Sequence, residues 1–202
     1  MRNDKRFWQR FSTIYARFMS NASPTYAEAC RRIKPRIAGM DVLEIACGTG
    51  QFTAPLASGA KSYLATDYSE RMLAKAKRHA KAPGLSFSVQ DATNLDFTSG
   101  RFDAVVIGNA LHIMPDPDAA LKEIRRVLKP DGVLFAPTFV RGTVVKNKLR
   151  MKFIRMIGLK VYHNWSDTEF LAYLPSQGFK VEEHETIGTP VQPMCFTIAR
   201  PE

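Results

Sequence analysis

Three cysteines in 202 residues, Cys30, Cys47 and Cys195, are too few and too scattered for a disulfide framework. Their odd number and the lack of Cys-x-x-Cys spacing also argue against a structural zinc site, so reduced thiols and no metal are expected. No apolar run approaches the ~18–20 residues that a membrane-spanning helix needs. The opening stretch Met1-Arg2-Asn3-Asp4-Lys5-Arg6 lacks the apolar core and small-residue cleavage site of a secretory signal. Internal repeats and low-complexity tracts are missing too. Together these absences predict a soluble cytoplasmic protein.

What is present suits one α/β domain. Hydrophobic residues make up 45% of the chain, a globular proportion. The formal net charge is +10, and its distribution is uneven. Residues 1–40 hold nine Lys or Arg against two acids, and residues 141–163 hold seven against none. The rest of the chain has more acid than base. Such asymmetry fits an anionic partner, and equally a solvated basic face.

Periodicity supplies the order of elements. Phe7, Phe11, Ile14, Tyr15, Phe18 and Met19 fall at helical spacing, so residues 1–40 read as a helical cap. From Asp41, strands and helices alternate. Val42–Ala46, Tyr63–Thr66, Leu85–Val89, Phe102–Gly108 and Val133–Phe139 read as five strands. The continuous apolar run Ala104-Val105-Val106-Ile107 suits a central strand buried on both faces. Ser69 caps a helix whose Met72, Leu73, Ala76 and Ala80 share one face. Pro117 opens another, and Lys129-Pro130-Asp131-Gly132 stops it. Ser166-Asp167-Thr168-Glu169 is a capping box. Phe179–Ile187 and Met194–Arg200 close the chain as two strands joined by a loop. Only these last two lack a crossover helix in this reading, so they are expected to pair antiparallel. The expectation is one domain over 1–202. It comprises the cap, a ligand-binding core over 41–139, a basic lid over 140–165, and a final helix and strand pair over 166–202.

In an open parallel sheet, ligands bind beyond the carboxyl ends of the strands. After the first strand comes Ala46-Cys47-Gly48-Thr49-Gly50, where glycines let the backbone turn sharply and approach a ligand. The third glycine of a dinucleotide fingerprint would fall at Thr53, which weakens that reading. Cys47 itself reads as a small packing residue. After the second strand comes Asp67, nineteen residues beyond Gly48, suited to accept hydrogen bonds from ribose hydroxyls or to start the next helix. Gln90-Asp91-Ala92 follows the third strand and offers an acceptor to an adenine amino group. Asn109-Ala110-Leu111-His112 follows the fourth, with Asn109 placed for the amino-acid part of a cofactor.

These four strand ends resemble the class I S-adenosylmethionine-dependent methyltransferases, from about Val42 to Thr138. Val42 to Gly50 resembles that family's first motif, Asp67 its ribose-binding acid, and Gln90-Asp91-Ala92 its adenine-side motif. Phe102 to His112 resembles the fourth-strand motif. Glu123-Ile124-Arg125-Arg126-Val127-Leu128-Lys129-Pro130-Asp131-Gly132 resembles the helix and turn before the fifth strand, with Asp131 where glycine is commoner. The flavour is that of the small-molecule branch with the ubiquinone and menaquinone C-methyltransferases. The resemblance implies a Rossmann-like, doubly wound seven-stranded sheet with the last strand antiparallel and helices on both faces. It implies S-adenosylmethionine as cofactor and S-adenosylhomocysteine as product. The expected cofactor-binding set is Glu44, Ala46, Cys47, Gly48, Gly50, Asp67, Tyr68, Met72, Asp91, Ala92 and Asn109.

Methyl transfer from a sulfonium is an in-line displacement, so such an enzyme mainly positions the acceptor and excludes water. If the acceptor must lose a proton, His112 is the candidate base, with packing of the loop before Pro115 as the plainer alternative. Tyr15, Tyr162 and His163 are candidate lid residues facing the acceptor. Val145, Leu149, Phe153, Met156 and Ile157 form an apolar stripe edged by basic residues, which fits a lid and equally a helix lying on an anionic membrane. The leading expectation is a small apolar or aromatic acceptor, a lipid or quinone at a membrane surface being its variant. The chain has no Asn/Asp-Pro-Pro-aromatic element of amino-directed base methylation, which argues against nucleic acid. A non-catalytic cofactor-binding protein and an NAD oxidoreductase are weaker readings. The oligomeric state is not readable.

Overall fold

The apolar runs of the sequence stack into one sheet in a computed structural model that describes residues 23–141 and 160–202. Its strands are β1 (Asp41–Ile45), β2 (Ser62–Asp67), β3 (Leu85–Val89), β4 (Phe102–Ile107), β5 (Leu128–Phe135), β6 (Thr138–Phe139), β7 (Phe179–Thr189) and β8 (Gln192–Pro201). The α-helices are α1 (Ser23–Ile33), α2 (Thr53–Leu56), α3 (Glu70–His79), α4 (Pro117–Val127) and α5 (Asp167–Ser176). Along the sheet the order is β3-β2-β1-β4-β5-β8, and β8 also pairs with β6 and β7. The first five strands are mutually parallel, and β8 runs antiparallel to β5, β6 and β7. This is the Rossmann-like, doubly wound architecture that the resemblance implies, with the parallel order that alternation of strands and helices favours. Residues 1–22 of the expected cap, with Tyr15, and residues 142–159 of the expected lid, with its apolar stripe, lie outside the described residues.

Alternation on the central strands builds two cores. On β4, Ala104 and Val106 face one side with Tyr26, Ile33, Phe52 and Leu56. Val105 and Ile107 face the other side with Leu121, Ile124, Phe170 and Leu174. Both sets are fully buried on β4, as a strand covered by helices on both faces requires.

Three expectations need correction. The sheet has eight strands, not seven, because the run Val133–Phe139 is broken at Pro137, which has no N–H to donate to a ladder. Thr138 and Phe139 rejoin on β8 opposite Cys195 and Met194. Next, Lys129-Pro130-Asp131-Gly132 does more than stop a helix. Phe102 pairs with Leu128 but Ala104 pairs with Val133, so the turn bulges out of a strand that has already begun. Finally, the connection from β3 to β4 also lacks a helix, and its residues 90–101 run as turns and loop.

The capping box forms as the sequence predicts. Glu169 N–H donates to Ser166 Oγ at 3.1 Å, and Ser166 N–H donates to Glu169 Oε2 at 2.7 Å. α5 carries Pro175 inside it, so its N-terminal cap matters more than usual. Ser166→Ala is expected to cost about 1 kcal/mol, lowering the Tm by roughly 2–4 °C in a chain of this size. Thermal unfolding followed by circular dichroism checks this, and an unchanged Tm would contradict it.

Candidate functional site

The strand order reverses between β1 and β4, and a crevice opens where their following loops diverge. A cavity of about 400 Å³ lies there. It is lined by Ala46 and Gly48 after β1, by Asp67, Tyr68 and Met72 after β2, and by Gln90, Asp91, Ala92 and Thr93 after β3. Gly108, Asn109, Ala110, Ile113, Met114, Pro115 and Asp116 after β4 complete it. Four strand ends that are far apart in sequence thus share one space.

The backbone at β1 and β4 is held in an unusual form. Ala46 has φ +53° and Asn109 has φ +54°, both left-handed and both immediately beyond the sheet. A non-glycine residue there costs roughly 1–2 kcal/mol, and such strain persists where surrounding bonds over-determine it. Asn109 shows these bonds. Its N–H donates to the Pro137 carbonyl at 2.8 Å, and its Oδ1 accepts from Phe139 N–H at 2.7 Å. That leaves Nδ2 buried, with no hydrogen-bond partner among the described residues. Glycine is required beside it for space. A Cβ on Gly108 would stand 2.1 Å from the Phe52 ring.

Asp67 ties the site together. Its Oδ2 accepts from Gly48 N–H at 2.9 Å and its Oδ1 accepts from Ser69 N–H at 2.8 Å. Each carboxylate oxygen has two acceptor directions, so both keep capacity for a ligand hydroxyl. The cap of α3 is Ser69 itself, which accepts from Met72 N–H at 3.4 Å. Burial pushes the Asp67 carboxyl up to about 6, against the pull of the two backbone donors.

Other expected residues stand near the cavity without lining it. Glu44 is turned inward, where its Oε2 accepts from the Thr53 hydroxyl at 2.5 Å and its carbonyl accepts from the Thr66 hydroxyl at 2.8 Å. The Tyr63 hydroxyl faces the same carboxyl outside hydrogen-bonding geometry. Burial raises the Glu44 carboxyl to about 7. Cys47 is buried and its thiol is pushed far up by that burial. Gly50, at φ +92°, packs against Ala76 of α3, where a Cβ would sit 3.3 Å from its backbone. These three support the loop from behind.

His112 lies on the 3-10 turn Leu111–Ile113 and is not among the cavity-lining residues. Its carbonyl accepts from Tyr162 N–H at 3.0 Å and His163 N–H at 3.1 Å, which brings residues distant in sequence to the rim. The His163 ring stacks on Trp165 at 4.8 Å, and Trp165 stacks on Tyr173 at 4.8 Å. Lys160 Nζ stands over the Tyr162 ring at 4.2 Å. Gln90, Thr93, Gly108, Ala110 and Ile113–Asp116 line the cavity but stand outside the expected cofactor-binding set, although Gln90, Gly108 and Ala110 lie within the quoted motifs. For the rest the only signal was position directly after β3 and β4, and how far each loop folds back is not written in it. Among the described residues, no cluster of three metal-ligating side chains occurs and no helix is long and apolar enough to cross a membrane.

Comparisons with known proteins agree with this geometry. Residues 43–136 match the family model described as a methyltransferase domain. The demethylmenaquinone methyltransferase of Renibacterium salmoninarum is 35% identical over 141 residues, covering 67% of this chain and 59% of that protein. The chain spans about half the length of the curated relatives it matches. A methyltransferase solved in complex with the Haloferax volcanii Trm112 methyltransferase activator has a TM-score of 0.78 at 21% identity, covering 95% of both chains. Magnesium protoporphyrin IX methyltransferase from Synechocystis PCC 6803, solved with bound SAH, has a TM-score of 0.68 at 18% identity, covering 90% of this chain and 84% of that one. At such identities the solved structures establish the fold.

The two buried carboxyls make stability depend on pH. Glu44 and Asp67 have folded-state values near 7 and 6, above the unfolded range near 4. Between those limits the folded chain binds more protons than the unfolded one, so stability falls as pH rises from about 4.5 to 7. Glu44 alone accounts for roughly 3 kcal/mol over that window. Denaturant midpoints measured from pH 5 to 7.5 are expected to fall in the wild type and to flatten in Glu44→Gln. An equal slope in both would contradict this.

Proposed function

We propose, from the premise that residues 43–136 form a class I S-adenosylmethionine-dependent methyltransferase domain, that this chain methylates a small apolar or aromatic acceptor of the quinone type. The observation that carries the reading is the convergence of Asp67, Asp91 and the Asn109 amide, which lacks a partner among the described residues, on one cavity beyond four strand ends. Bound there, S-adenosylmethionine supplies an electrophilic methyl on a sulfonium, and S-adenosylhomocysteine is left as product.

The residues fit that group. Asp67 would hold the ribose hydroxyls with the acceptor capacity its backbone bonds leave. Asp91 and the backbone of Ala92 would meet the adenine edge. Asn109 Nδ2 is a buried donor lacking a partner among the described residues, suited to the carboxylate of the amino-acid end. Ala46 and Gly48 let backbone approach closely, with Tyr68 and Met72 as apolar walls. Glu44, Cys47 and Gly50 act one layer behind, by holding the loop.

Catalysis then rests on positioning and on excluding water. Ile113, Met114 and Pro115 give the β4 end of the cavity an apolar wall suited to a planar, weakly polar acceptor. A carbon acceptor gives up a proton when it takes the methyl. His112 is the proposed acceptor of that proton, because it stands on the turn whose next residues, Ile113 and Met114, line the cavity. The basic stretches over 1–40 and 141–163 suit an acceptor reached at an anionic membrane surface, with peripheral contact there.

Incubation with methyl-labelled S-adenosylmethionine and a short-chain demethylated naphthoquinol is expected to put label into the organic extract, with one S-adenosylhomocysteine formed per methyl. Label confined to RNA or protein fractions would overturn the acceptor class. Asp67→Ala is expected to weaken S-adenosylhomocysteine binding about tenfold or more in calorimetry, through loss of the ribose contacts and of the loop tether. Unchanged affinity would remove Asp67 from the cofactor site.

A further inference from the structure

Residues 90–101 join β3 to β4 without a helix, yet their first four residues line the cavity. A segment of this kind has no ladder to hold it, so its backbone groups need other partners. Asp91 supplies a local turn. Its Oδ1 accepts from Thr93 N–H at 2.9 Å and from the Thr93 hydroxyl at 2.7 Å, and its carbonyl accepts from Asn94 N–H at 3.0 Å. That turn is compact but has to be fixed to the body of the protein.

The fixing comes from α4. Leu95 N–H donates to Glu123 Oε2 at 2.8 Å, and Arg126 Nη2 donates to the Leu95 carbonyl at 2.9 Å. Arg126 Nη1 donates to the Phe97 carbonyl at 2.6 Å. The two side chains also grip each other, Nε to Oε1 at 2.8 Å and Nη2 to Oε2 at 2.7 Å. Three nitrogens of one planar guanidinium and both oxygens of one carboxylate are therefore engaged. A partly exposed ion pair is worth little by itself. This pair differs because it satisfies both backbone groups of Leu95 and one of Phe97. The Leu95 side chain is buried in the same apolar core as Leu121 and Ile124 of that helix. Neither Glu123 nor Arg126 lines the cavity.

We propose that Glu123 and Arg126 are positioning residues for the base-recognition end of the cavity, holding the Asp91–Leu95 turn so that Asp91 meets the amino group of the cofactor base. This rests on the cofactor reading given above. One turn separates the clamped Leu95 from Asp91, so a shift at the clamp carries directly into the cavity wall. The pair does no chemistry on the methyl group, and its effect is on which base is accepted. Lys at position 126 would keep the charge but lose the fork that reaches two carbonyls and a carboxylate together.

The test compares S-adenosylhomocysteine with S-inosylhomocysteine, in which a carbonyl replaces the amino group, by calorimetry on the full chain. Wild type is expected to prefer S-adenosylhomocysteine by at least about tenfold, the size of one hydrogen bond made or lost in a closed site. Arg126→Lys and Glu123→Gln are expected to bring the two ligands to within about twofold, mainly by weakening the adenosyl ligand. A role in stability alone would lower the Tm and leave the ratio at its wild-type value, which would overturn the proposal. The conservative pair of variants decides the matter even where Arg126→Ala does not fold. If wild type binds both ligands equally, this inference fails and the cofactor site stands. If wild type binds neither, both fail.

Discussion

The carboxylate of Asp67 is the point on which the site turns. It ends β2, yet it accepts one N–H from the glycine loop of β1 and another from the start of α3. Three segments are thereby locked to one buried charge. Without it, the Gly48 and Ser69 amides would lack these partners beside an open cavity, and nothing else among the described hydrogen bonds ties the glycine loop to β2's end except the Cys47 N–H bond to Thr66. The same buried position that makes Asp67 a useful tether also makes its ionisation costly, which is why its carboxyl titrates near 6.

Around that tether the crevice is built from strain and close packing. Ala46 and Asn109 leave adjacent strands in the same left-handed form, which turns both chains away from the sheet and opens the gap between them. Gly108 and Gly50 then admit Phe52 and Ala76 where a side chain would collide or crowd. Glu44, one layer below, is held by Thr53 from α2, so the loop rests on a buried polar pair. Stability is given up at these positions and recovered in the two apolar cores that sandwich the sheet.

The cavity wall has a tight side and a contributed side. The β1 and β2 ends hold themselves through short-range bonds around Asp67. The β3 end is held from outside by Glu123 and Arg126, and the rim after β4 holds Tyr162 and His163 through the His112 carbonyl. One part of the cavity wall is thus set by neighbouring strands, the other by pieces that arrive from helices and returning loops.

The sequence by itself determined the parallel sheet, the buried central strand, the capping box on α5 and the place of Gly48, Asp67, Asp91 and Asn109 beyond the strand ends, where they line the cavity. Each of these follows from local rules: apolar period, turn chemistry and position after a strand. Sequence also brought Glu44, Cys47 and Gly50 into the expected set, although they lie behind the cavity, because a motif records which residues a loop needs and not which way each side chain turns. Pro137 carried its strand break in the sequence as well, since it has no N–H for a ladder. Only the tertiary structure decided the bulge at 129–132, the Asn109 amide left without a partner among the described residues, and the grip of α4 on Leu95. All three arise between segments distant in sequence. Their geometry depends on strand order and loop return, which no window of the chain contains.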